Sequence, residues 1–304
     1  MKTDEYGNRM KDYERMETGR RFMPLLPVYA RIDGRSFSKF TKGMRRPYDK
    51  RMSRCMIETA KYLVDQTDAM IGYVQSDEIS LAWYSDSVDS QIFFDGKIQK
   101  MVSVLAGMAS VKFLHEYRNT FGAQADMDAL PLFDARVFQL PTKVELANTF
   151  LWRERDATKN AISMAARSFY SHAELHKKSG SEMQEMMFLA GQNFNDYPAF
   201  FKRGTFVRRE LVDIELSAGE YANIPDRHKP HSMWVKRHRM VEMDMPSFGT
   251  VMNRDDVIFE KDDPITAAKK VHFGLLADDD DIMSYNNPMG MVFGGENPIK
   301  KEGT

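Results

Sequence analysis

Two short acidic motifs stand well apart in the chain: Asp33-Gly34, which closes an apolar stretch, and Ser76-Asp77-Glu78, a polar break between two apolar runs. Carboxylates brought together suit a hard cation such as Mg²⁺, which commonly sits between one or two carboxylates and the phosphates of a substrate. Two such ions could activate an attacking oxygen and stabilise a leaving one in phosphoryl transfer. Gly34 lets backbone approach a ligand, because no Cβ intrudes. Basic residues accompany the carboxylates. Arg31 and Arg35 flank the first motif, Arg46 precedes Pro47, and Lys97 and Lys100 are spaced about one helical turn apart. Forked arginines and point-charge lysines are the usual handles for a triphosphate. Alone, each acidic motif reads equally well as a solvated turn, and the lysine pair reads better as a solvated helix face. The chemistry needs a fold that joins them.

The apolar pattern supplies one. Residues 25–32 are β-capable and stop at Asp33. Residues 49–66 carry Met52, Met56, Ala60 and Leu63 at helical spacing. Residues 70–74 and 79–84 read as a hairpin around Ser76-Asp77-Glu78, 94–117 as a long helix, and 132–140 as another strand. The predicted class is therefore α+β, in the βαββαβ order of the ferredoxin-like split unit. In that topology the end of the first strand and the hairpin tip share one end of the sheet, so Asp33 meets Asp77 and Glu78.

The remaining chain divides into an N-terminal helix or arm (1–24), the catalytic unit (25–140), a helical region (141–263) and a loosely packed C-terminal segment (264–304). That last segment includes the acidic run 278–281 and the Gly/Asn/Pro-rich 285–298. Residues 143–177 and 181–190 read as helices, 193–204 as a loop carrying Lys202 and Arg203, and the residues beyond as irregular strands. Ser179-Gly180-Ser181, with Gln184 three residues later, resembles a capping box opening the next helix. His172 and His176 are spaced like a zinc pair, but no third ligand completes it. Cys55 falls among core-spaced positions. The basic stretch around Trp234, from Arg227-His228-Lys229 through Arg239, reads equally as a nucleic-acid surface or a solvated strand edge.

Composition sets outer limits. The 304 residues hold 43 Lys+Arg against 44 Asp+Glu, and the near-balance argues against coating nucleic acid by bulk charge while allowing a local basic groove. A single cysteine excludes an internal disulfide framework. No apolar run approaches the ~20 residues of a membrane span. The N-terminus carries no apolar stretch of the secretory kind, so the expected location is cytoplasmic, with no membrane partner.

Several segments together resemble a known family. They are Arg31-Ile32-Asp33-Gly34-Arg35-Ser36-Phe37, Arg46-Pro47-Tyr48-Asp49, Gln75-Ser76-Asp77-Glu78-Ile79-Ser80 and Phe133-Asp134-Ala135-Arg136. Phe150-Leu151-Trp152-Arg153-Glu154, Asp156, Lys159-Asn160 and the run from Asn195 through Lys202-Arg203-Gly204 continue the likeness. The set is similar to the histidine-tRNA guanylyltransferases, the reverse (3′-5′) nucleotide polymerases. The resemblance implies a polymerase-like palm and a Mg²⁺-dependent nucleotidyltransferase that extends tRNA at its 5′ end. It implies catalytic roles for Asp33, Asp77 and Glu78, with two Mg²⁺ held by Asp33, Asp77 and the Gly34 carbonyl. It places Gly34, Arg35, Ser36, Phe37, Ser76, Arg46, Asp49, Lys97 and Lys100 at the nucleotide, and Arg153, Lys159, Asn160, Lys202 and Arg203 at the tRNA. GTP, ATP or another NTP is the implied substrate, and a homotetramer the implied assembly. Eukaryotic members carry a His-x-Asn-Asn signature where this chain has Thr158-Lys159-Asn160-Ala161, so it is more similar to the guanylyltransferase-like branch of bacteria, archaea and phages, implicated in template-dependent repair of 5′-truncated tRNA. Two other readings of the same palm stay open: a nucleotide cyclase or signalling synthase, and an inactive RNA-binding relative.

Overall fold

Alternation along the first strand sorts the core into two faces. Strand β1 (Val28–Gly34) sends Val28, Ala30 and Ile32 into one apolar cluster and Tyr29 into another. In the computed structural model, which describes residues 4–267, the strands β2 (Ile71–Gln75), β3 (Glu78–Trp83) and β4 (Phe133–Gln139) join β1 in the order β4-β1-β3-β2, all antiparallel. This is the expected βαββαβ order, and the fold class is α+β. Two further strands, β5 (Thr205–Glu215) and β6 (Trp234–Glu242), extend the sheet beside β2. The expectation of irregular strands after residue 204 is thus corrected. β5 pairs with β2 only over Thr205, Phe206 and Val207, and with β6 from Val207 to Glu215. The sheet therefore runs beyond the expected boundary at residue 140, and the chain up to Pro264 forms one compact unit.

The helices fill both faces. On one side pack α2 (Lys50–Thr67) and α3 (Ile98–Phe121), while the leading helix α1 is Glu5–Thr18. The apolar set Met101, Leu105, Ala109, Phe113, Tyr117 and Phe121 repeats every four residues and lays one stripe of α3 on the sheet. Cys55 is buried in the same layer, as expected of a packing residue. On the opposite face lies α4 (Lys143–Ala166), capped by the Thr142 hydroxyl accepting from the Glu145 N–H at 3.1 Å. Its Leu146, Ala147 and Phe150 pack on Tyr29, Tyr73 and Phe206.

α4 ends at Ala166 rather than continuing to residue 177. Ser171 and Ser179 open new helices instead, each in a capping box with a glutamate three residues on: Ser171 with Glu174, and Ser179 with Glu182. The box is therefore set by Ser179, not Ser181 with Gln184, and α5 is Gly180–Leu189. His172 and His176 stay exposed, with ring centroids 6.3 Å apart. The C-terminal motifs 278–281 and 285–298 lie outside the described residues. Among the described residues, no helix is long and apolar enough to cross a membrane.

Candidate active site

The strand register builds the site as a row. Directly opposed residues in an antiparallel sheet share a face, and the pairs Asp33 with Asp134, Asp33 with Glu78, and Gln75 with Glu78 align four polar residues across β4, β1, β3 and β2. Asp77 sits just off the row, in the two-residue turn joining β2 to β3. Ser76 takes the left-handed conformation (φ 49°) there, and the Gly34 N–H donates to the Asp77 carbonyl at 3.0 Å. That bond ties the end of β1 to the hairpin turn, so the two motifs separated in sequence are neighbours.

Their electrostatics follow from this crowding. Burial pushes the Asp33 carboxyl above the usual carboxylate range, and the charge of Asp134 adds to the effect. Burial raises Asp77 too, opposed by a hydrogen bond from Ser76 and reinforced by the charge of Asp33. A cation between them would relieve both penalties. Among the described residues, no group of three or more His, Cys, Asp or Glu side chains forms a metal cluster. The donor set at Asp33 and Asp77 is instead two carboxylates beside open cavity, the kind that fits Mg²⁺ completed by substrate phosphates.

Glu78 has a different position from the one its sequence context suggests. It is the first residue of β3, 5% exposed, not a solvated member of the hairpin tip. Both its oxygens accept from Arg153 of α4, at 2.7 Å each, and Arg31 stands 3.9 Å away. Arg153, expected at the tRNA, is 6% exposed and committed to Glu78 and Asp156. Trp152, exposed, has the Arg31 and Arg153 guanidinium carbons 5.9 and 4.5 Å from its ring centroid.

Two adjoining cavities meet at Gln75, Ser76 and Asp77. One, of about 560 Å³, lies over the carboxylate row and is lined by Arg31, Asp33, Glu78, Arg153, Asn160 and Arg167 among others. The second, of about 300 Å³, is more apolar; Phe37, Arg45, Arg46, Tyr48, Asp49 and Phe200 are in its wall. Tyr48 packs against Tyr197, Phe200 and Phe201, which joins the 41–49 loop to the short helix Ala199–Arg203.

The remaining expected site residues divide clearly. Gly34 has room for no side chain: a Cβ there would fall 2.3 Å from the Phe37 ring. That ring packs with Phe40, Phe113 and Phe133, so Phe37 is a core residue that also borders the apolar cavity. Ser36, also left-handed (φ 58°), and Arg35 are exposed beside it. Asp49 is occupied as the cap of α2: its carboxylate accepts from the Arg51 N–H and guanidinium and from the Arg45 N–H, and these bonds hold it down to about 2. It orders the loop that carries Arg45 and Arg46 instead of facing a ligand freely. Lys97 and Lys100 line a separate cavity with Thr67 and Asp68. Those two mark the far end of α2, about 27 Å along the helix from Asp49. Within one chain they do not join the carboxylates, because α3 begins at the wrong end of the sheet. Asn160 reaches both cavities, whereas Lys159 lines neither. Lys202 donates to the Asn195 carbonyl, and the Arg203 carbonyl accepts from the Tyr73 hydroxyl at 2.7 Å, so that pair also braces the fold.

Sequence reasoning missed Gln75 as part of the row, and Ser163 and Arg167 on the wall. A signal for the last two existed: Arg153, Asp156, Asn160, Ser163 and Arg167 recur at spacings of three and four along the expected helix, a polar stripe on one face.

Comparison with known proteins agrees with this architecture. A family model described as tRNAHis guanylyltransferase matches residues 7–141. The tRNA(His) guanylyltransferase of Debaryomyces hansenii is 31% identical over 204 residues, 61% of this chain and 76% of that protein. A bacterial tRNA(His) guanylyltransferase-like protein solved in complex with ATP superposes with a TM-score of 0.68 at 31% identity, covering 84% of this chain and 99% of that one. A bacterial guanylyltransferase-like protein in complex with GTP gives 0.64 at 32%, covering 81% and 94%. The chain belongs to the tRNA(His) guanylyltransferase family of nucleotidyltransferases.

Proposed function

We propose that the protein is a Mg²⁺-dependent nucleotidyltransferase that adds nucleotides to the 5′ end of tRNA in the 3′-5′ direction, by template-dependent end repair, by G addition to histidine tRNA, or by both. The observation that carries this reading is the junction of the two cavities at Ser76 and Asp77, where an apolar chamber of nucleoside size opens directly onto partly buried carboxylates. Similar proteins bind ATP and GTP, which supports an NTP as one substrate.

Two Mg²⁺ at Asp33, Asp77 and the Gly34 carbonyl would supply charge neutralisation at phosphorus when bound. The chain's own residues do the rest. The aromatic wall around Tyr48 and Phe200 excludes water from a base. Arg45 and Arg46, on the loop ordered by Asp49, line that chamber and can meet negative charge there. Ser76 and the exposed residues Arg35 and Ser36, next to the buried Gly34, border the carboxylates and can accept a sugar or phosphate. Glu78 acts through Arg153: the pair fixes β3 against α4, which keeps the Asp33 row in register with the turn holding Asp77. The tRNA is assigned to the side of α4 and the Ala199–Arg203 helix, with Lys159, Lys202 and Arg203 nearby. A homotetramer is the proposed assembly. Its support within the chain is α1, which buries none of its residues and leaves Tyr6, Met10, Tyr13 and Met16 exposed. Light scattering on the purified protein reads the subunit number directly.

The test is incubation of the protein with Mg²⁺, each labelled NTP, and full-length or 5′-truncated tRNA. Template-matched incorporation on truncated tRNA establishes repair, a lone G on histidine tRNA the narrower activity. Cyclic nucleotide formed without RNA would point to the cyclase reading.

A further inference from the structure

The cavity over the carboxylates is longer than the carboxylates need. It continues along one face of α4, past Asn160 and Ser163 to Arg167 just beyond the helix end. The three residues stand about one turn apart and share that face. The guanidinium groups in the wall are not equivalent. Arg153 is spent on Glu78 and Asp156, and Arg31 faces Glu78. Arg167 makes no ion pair with a described carboxylate, is exposed, and still lines the cavity. Ser163 donates to the Lys159 carbonyl at 3.1 Å, a back-bond its hydroxyl can exchange for a phosphate oxygen by rotation. Of the four carboxylates in the wall, Glu78 and Asp156 are paired with Arg153, so Asp33 and Asp77 at one part of the cavity and the uncommitted Arg167 guanidinium at another separate charge along its length. A polyphosphate would span that separation, with metal-neutralised oxygens at one end and a forked donor at the other.

We propose that Arg167, assisted by Ser163 and Asn160, is a phosphate-anchoring site at the far end of the active-site cavity, taking either the triphosphate of a nucleotide or the phosphorylated 5′ end of an RNA. The site deepens the nucleotidyltransferase reading and relies on it for the nature of the ligand. Binding of an anion, however, is measurable without turnover. An arginine at a helix C-terminus also complements the helix dipole, so stability must be read alongside affinity.

The experiment is calorimetric titration of wild type, Arg167→Ala, Arg167→Lys and Ser163→Ala with inorganic tripolyphosphate, ATP, and tRNA bearing either a 5′-monophosphate or a 5′-hydroxyl. The expected result is about tenfold weaker tripolyphosphate binding in Arg167→Ala, the loss of a charge-assisted pair. Arg167→Lys should recover part of it, and any fall in the melting temperature of Arg167→Ala from the lost dipole contact should be small beside the loss of affinity. The same loss with ATP assigns the anchor to the nucleotide. A loss with phosphorylated but not hydroxyl tRNA assigns it to the RNA end. Unchanged affinity of Arg167→Ala for tripolyphosphate, ATP and phosphorylated tRNA overturns the proposal. Nucleotide incorporation assayed on the same wild-type preparation separates the two claims: Arg167-dependent anion binding without incorporation would retain the anchor and remove the activity.

Discussion

Arg153 of α4 grips Glu78 of β3 with two parallel hydrogen bonds, Nε to Oε1 and Nη2 to Oε2, each 2.7 Å. Both side chains are almost fully buried, so the pair clamps the helix to the strand that starts immediately after Asp77. Removing one partner of a buried pair leaves the other charge uncompensated, which typically costs about 3–5 kcal/mol. Arg153→Ala should therefore lower stability by about that amount in urea denaturation, well beyond the effect of removing an exposed tRNA contact. A loss below 1 kcal/mol would mean that the clamp is not structural.

Gly34→Ala tests the close approach at the end of β1. The added Cβ would lie 2.3 Å from the Phe37 ring, which cannot retreat because Phe40, Phe113 and Phe133 surround it. Overpacking of this kind costs about 1–3 kcal/mol. It should also displace Asp33 and lower nucleotide addition more than it lowers stability. Wild-type rates in Gly34→Ala would show that the backbone there does not position the carboxylates.

The sheet order and the meeting of Asp33 with Asp77 were legible because they follow from element order and apolar alternation alone. The role of Glu78 was not. Sequence placed it on a polar break, but a two-residue turn at Ser76 and Asp77 puts Glu78 inside β3, where burial demands a partner and Arg153 supplies it. Lys97 and Lys100, put at the nucleotide by the family resemblance alone, line a separate cavity within one chain because the end of the helix on which they sit is decided by the path of α3 across the sheet. β5 and β6 were expected only as irregular strands because charged residues interrupt their alternation. Lys236, Arg237, His238 and Arg239 occupy an edge strand that faces solvent, so no apolar stripe marked it.

Asp49 gives a pH signature. Its carboxyl is held at about 2 by Arg51 and the loop N–H groups, below the 3.8 of an unperturbed aspartate. A depressed folded pKa stabilises the protein above the unfolded value, and that contribution is lost as pH falls from about 4 toward about 2. Asp49→Asn should cost up to about 2 kcal/mol at pH 7, and the gap between variant and wild type should close across that acid window. A gap independent of pH would assign the loss to packing instead.

The most direct test of the catalytic centre is Asp77→Asn, which keeps the side-chain shape and the Asp77 backbone link to Gly34 while removing one carboxylate. Purified wild type and variant are given Mg²⁺, labelled NTPs and a 5′-truncated tRNA. The expected result is Mg²⁺-dependent, template-matched addition by the wild type and none by a variant that still folds and melts normally. Addition by Asp77→Asn at the wild-type rate, or incorporation by the wild type that persists in EDTA, would contradict a carboxylate-metal centre at Asp33 and Asp77.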